Sequence, residues 1–65
     1  MEKHEIKNFL NILVTERMKA KSRIEELRWV QEFTGKSKEK LINEELDRIS
    51  NIDKMYKELE EKLKK

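Results

Sequence analysis

His4 is the only histidine in a chain of 65 residues that has no cysteine, and these two facts remove most side-chain chemistry at once. Acid–base or nucleophilic work needs a histidine held beside a second group. The opening Met1, Glu2, Lys3, His4, Glu5 puts it in a terminal segment with no nucleophile spaced to meet it. No Glu-x-x-His or His-Glu-x-x-His pair offers a metal site, and the absence of thiols removes disulfides and thiolate zinc centres. Gly35 is the only glycine, too few for a phosphate-cradling loop, so neither cofactor nor metal is expected. Glu44, Glu45 and Asp47 could hold a cation only weakly and read as a solvated helix face. The chain is expected not to be an enzyme.

Two residue sets point to binding instead. Trp29, Val30 and Phe33 fall off the main apolar stripe at about 100° per residue, with Trp29 almost opposite it. Large aromatics away from a core are candidates for partner contacts. The run Arg17, Met18, Lys19, Ala20, Lys21, Ser22, Arg23 carries four positive charges and no acid, and Lys36, Lys38 and Lys40 follow at the turn. Duplicated in a symmetric dimer, Arg17, Lys19, Lys21 and Arg23 could track phosphates, which makes nucleic acid an alternative partner.

Overall charge does not favour that alternative. Charged residues are 46% of the chain, but 16 basic and 14 acidic side chains nearly cancel to +2. No apolar run approaches the roughly 20 residues that span a bilayer, and the N-terminus does not read as a signal peptide. A soluble, cytoplasmic protein without membrane contact is the expectation.

Asn43, Glu44, Glu45, Leu46, Asp47 resembles the Ser-Gln-Glu-Leu-Asp signature of the small sporulation aspartyl-phosphatase family, with Asn43 and Glu44 in place of its serine and glutamine. Ile24, Glu25, Glu26, Leu27, Arg28 is similar to that family's first helix. The family consists of short helical hairpins that dephosphorylate a response regulator, so the resemblance implies Asp47 as the residue concerned. Here the stretch between the helices is shorter, and helix one has a long N-terminal extension.

The elements that position all these residues follow from apolar spacing. Ile6, Leu10, Leu13, Ala20, Ile24 and Leu27 recur at mostly three- and four-residue steps before Gly35; Ile42, Leu46, Ile49, Ile52, Tyr56, Leu59 and Leu63 do so after it. Such recurrence marks one buried helical face. With no proline and abundant helix formers, the spacing predicts an all-α hairpin of one domain over 1–65: helix one about 3–34, a turn about 35–37, helix two about 38–64. Gly35 suits a left-handed helix end and Ser37 a cap for the next helix. Glu44 to Arg48, Asp53 to Lys57, Glu58 to Lys62, Glu60 to Lys64 and Glu61 to Lys65 place acid before base at i, i+4, each adding about 0.2–0.5 kcal/mol.

So short a turn sets the helices antiparallel, and residue numbers totalling about 70 to 73 should meet. Leu27 then lies near Glu45 and Leu46, Ile24 near Leu46 and Ile49, Ala20 near Ile52, Leu13 near Leu59, and Leu10 near Leu63. Arg17 interrupts the stripe near Asp53 and Tyr56. A lone pair of helices leaves much of each stripe wet, and a chain this small needs a further staple. Two hairpins packed face to face supply one. The expected assembly is a homodimeric four-helix bundle whose core holds Ile6, Leu10, Leu13, Ile24, Leu27, Ile42, Leu46, Ile49, Ile52, Tyr56, Leu59 and Leu63. The expected role is a small, self-associating interaction or regulatory module that binds itself and an unidentified protein partner.

Overall fold

The computed structural model describes residues 2–64 and is an all-α helical hairpin, α1 spanning Lys3–Thr34 and α2 Glu39–Lys64. At about 1.5 Å rise per residue the 32 residues of α1 account for the longest dimension, and the molecule is a rod of 50 × 14 × 12 Å.

Both ends of α1 and the start of α2 are closed by identifiable bonds. Glu2 is extended, and its carbonyl accepts from the Ile6 amide at 3.1 Å, starting α1. Gly35 stops it in the left-handed conformation, φ 69° and ψ 6°, its amide donating to the Gln31 carbonyl at 2.9 Å. An added Cβ there would meet no atom within 4 Å. Gly35→Ala should therefore cost about 1 kcal/mol from backbone strain alone, read as a lower urea midpoint. An unchanged midpoint would show that the turn relaxes into another form.

The cap of α2 comes mainly from the other helix. The Lys38 amide donates to Gln31 Oε1 at 2.7 Å, and Gln31 Nε2 donates to Glu39 Oε1 at 3.4 Å. Ser37 Oγ accepts from the Glu39 amide only at 3.4 Å. Gln31 thus ties the two helices together across the turn, a role the local capping pattern does not reveal.

Ile6, Leu10, Leu13, Ala20 and Ile24 of α1 and Ile42 and Ile52 of α2 are buried in the seam between the helices, with Leu27, Ile49, Tyr56, Leu59 and Leu63 half-buried along it. Leu46 departs from this pattern. It is 45% exposed, and Glu45, at 7%, takes the inward position beside α1. The inner face of α2 steps strictly by three and four through Ile42, Glu45, Ile49, Ile52, Tyr56, Leu59 and Leu63. That is a period of about 3.5 residues, the spacing that keeps one seam facing a partner. Counting Leu46 instead requires two successive steps of three, which rotate it off the seam. Cross-helix pairs agree: Arg17 meets Asp53 and Arg23 meets Glu45, with numbers totalling 70 and 68. The register thus sits at or just below the low end of the expected range.

Among the described residues, none of the i, i+4 acid–base pairs of α2 closes to an ion pair. Glu61 to Lys65 lies outside the described residues. No helix is long and apolar enough to cross a membrane.

Candidate interaction surfaces

The seam divides the rod's surface into two edges and two outer faces. One edge holds a shallow groove in which Ile24, Leu46 and Ile49 are flanked by Arg17, Lys21, Glu25 and Arg28. Arg17 Nε donates to Asp53 Oδ1 there at 2.9 Å. Stepping by sevens, this edge has Lys7, Val14, Lys21 and Arg28 on α1 and Glu39, Leu46, Asp53 and Glu60 on α2, so that two exposed apolar residues stand among its bases and acids. It is charge-complementary within one chain, the pattern of positions flanking an antiparallel coiled-coil seam.

The other edge is more apolar. Phe9, Val30, Leu41 and Met55 lie along it, each 39% to 45% exposed. Between them Arg23 Nη1 donates to Glu45 Oε1 at 3.2 Å, while Glu45 Oε2 is buried with no hydrogen-bond partner. At about 100° per residue Arg48 falls on the same edge as Arg23, so one edge holds two arginines and an imperfectly satisfied acid. The apolar stripe read from the sequence passes over Phe9, Leu41 and Met55. The signal for them is their seven-residue relation to Val30 on α1 and to Arg48 on α2, visible only once the seam is fixed.

The four basic residues of the run Arg17 to Arg23 do not share a face. Arg17 and Lys21 belong to the first edge, Arg23 to the second, and Lys19 to the outer surface of α1. Three of them hold acids within the chain: Arg17 with Asp53, Lys19 with Glu16 at 3.5 Å, and Arg23 with Glu45. Within the run only Lys21 has no acid partner among the described residues, and the turn bases Lys36, Lys38 and Lys40 likewise form no ion pair there.

Trp29 and Phe33 stand on the outer face of α1, 63% and 76% exposed, their rings stacked at 4.9 Å between centroids and 25° between planes. Glu32 lines the same shallow depression. The ring stack is one turn of helix apart, the i, i+4 spacing at which aromatic side chains meet. Trp29→Ala should change folding stability by no more than about 0.5 kcal/mol, because the ring is off the core and alanine is the better helix former. Trp29 emission, the only indole signal, should be water-like and readily quenched by iodide; a buried, unquenched signal would mean that the ring packs.

His4 Nδ1 lies 3.3 Å from Glu2 Oε2, and with Glu5 the ligand atoms of these three exposed side chains lie within 4.8 Å of one another. Asp47 is exposed on the outer face of α2 and, among the described residues, forms no ion pair. In the Glu45, Leu46, Asp47 triplet the inward residue is the acid and not the leucine. No protein-family model, curated protein or solved structure matches the chain.

Proposed function

We propose that this chain is a small non-enzymatic interaction module that associates with itself as a four-helix bundle and offers its outer aromatic pair to a further protein. The observation that carries the reading is its surface. The hairpin exposes 5506 Å², whereas a compact monomer of its 8.0 kDa exposes about 4,450 Å². The excess of roughly 1,000 Å² is of the size that one partner contributes to a standard protein interface, about 800 Å². Part of that surface is the half-exposed Phe9, Val30, Leu41 and Met55 along one edge, where a second hairpin would remove them from water.

Sedimentation equilibrium over micromolar concentrations, with helicity followed by circular dichroism, tests the proposal. A helical dimer whose helicity falls on dilution is the expected result. A folded monomer throughout would overturn it. Trp29 and Phe33 lie outside the seam and both edges, so the bundle leaves the stacked pair free, and Trp29 emission should not shift as the dimer forms.

A further inference from the structure

We infer that a second copy of this chain docks on the edge formed by Phe9, Glu16, Arg23, Val30, Leu41 and Met55, with its α1 antiparallel to the first α1 and crossing it at a twofold axis between residues 19 and 20. This rests on the self-association proposed above and adds the face, the direction and the register.

On α1 this edge reads, at intervals of seven, Phe9, Glu16, Arg23, Val30. Reversing an apolar, acid, base, apolar string gives apolar, base, acid, apolar, which is its own complement. An isologous interface requires such self-complementarity, because residue i meets j and j meets i. The antiparallel crossing sets Phe9 against Val30 of the second copy and Glu16 against Arg23 of the second copy, each pair occurring twice. Parallel α1 helices would set Glu16 on Glu16 and Arg23 on Arg23. Laying α1 across the other copy's α2 would bring Arg23 to Arg48, again like charges. Only the antiparallel arrangement sets the α1 charges Glu16 and Arg23 against opposite charges, and the Arg48 of each copy, which then falls near the axis on α2, is exposed and long enough to turn to water.

Geometry within one hairpin leaves the required groups free. Arg23 is more than half exposed and uses Nη1 on Glu45, so the rest of its five-donor guanidinium can reach a second carboxylate. Glu16 has only the 3.5 Å contact to Lys19, a weak hold on a half-exposed acid. The opposite edge carries Lys7, Lys21 and Arg28 on α1, so an antiparallel α1 crossing there would set Lys7 against Arg28, like against like.

The absence of native cysteine makes the register directly readable. Phe9→Cys and Val30→Cys chains are mixed at a concentration where the unmodified chain sediments as a dimer, then oxidised; circular dichroism checks that both variants remain helical. The expected product is a disulfide between positions 9 and 30, with neither variant linking to itself. In the proposed register two copies of position 9 lie about 30 Å apart along the bundle, beyond any disulfide. Should either variant lose helicity, Glu16→Cys mixed with Arg23→Cys reads the same register. Glu16→Arg should raise the dimer dissociation constant about tenfold, with the effect shrinking in high salt. A dimer that forms no link between 9 and 30, or a Phe9→Cys chain that links to itself, overturns the face or direction while leaving self-association intact. A monomer at every concentration overturns both.

Discussion

Leu13→Ala is expected to abolish most of the helical signal at micromolar concentration. Leu13 is buried at mid-rod among the apolar residues of a seam only one side chain deep. Truncating a buried leucine to alanine costs about 2–5 kcal/mol, from lost transfer energy and the cavity left behind. A chain of this length has roughly 3–10 kcal/mol of total stability at the usual scale per residue. No second layer exists to absorb the loss, and the helices alone are marginal without the packing of their apolar faces. Met18→Ala is the matched control, since Met18 lies outside the seam and is largely exposed; its effect should stay within about 0.5 kcal/mol. Urea titration at one protein concentration compares the two, and a Leu13→Ala loss below about 1 kcal/mol would mean that the stabilising core lies elsewhere.

The second large effect runs the other way. Glu45→Leu should stabilise the fold by about 1–3 kcal/mol, because a buried acid in the seam is replaced by the residue type the seam is built from. Only Glu45 Oε1 is satisfied, by Arg23; Oε2 is buried and unpaired. Leaving a buried acceptor without a partner costs about 1–3 kcal/mol, which the leucine would recover while Arg23 returns to water. Arg23→Ala should do the opposite and cost about 1–2 kcal/mol, since it strips the acid of its one partner. In the Glu45→Leu background that cost should largely vanish. A double-mutant cycle measured at a single protein concentration isolates the coupling, because any contribution of Arg23 to dimer contacts enters both backgrounds alike. If Glu45→Leu destabilises, the acid is holding something the isolated hairpin does not contain, such as a basic group of a second copy.

The all-α hairpin, its single break at Gly35 and the antiparallel course of the helices were legible from the sequence, because they depend on local properties: apolar recurrence, the absence of proline, and the one residue that enters the left-handed region without strain. That Trp29 lies off the stripe was legible for the same reason, as a matter of angle around one helix, whereas the exposure of both rings was not, because packing against the turn or Leu41 satisfies the same angles. Arg17 meeting Asp53 followed from antiparallel pairing alone.

What the sequence left open depends on phase between the two helices. Ile42 to Ile49 can be joined through Glu45 or through Leu46, and hydrophobicity selects Leu46. Packing selects Glu45, because the seam follows a period near 3.5 residues along its whole length and one locally attractive leucine cannot shift seven positions. The capping of α2 by Gln31, the scattering of the basic run over separate faces, and the edge holding Phe9, Leu41 and Met55 all follow from that same phase. Periodicity within a helix is encoded in neighbours a few residues apart, so the sequence by itself determined two helices and a turn. Which residues the two helices turn toward each other, and hence which edge is left apolar, is a relation between distant segments, and only the tertiary structure decided it.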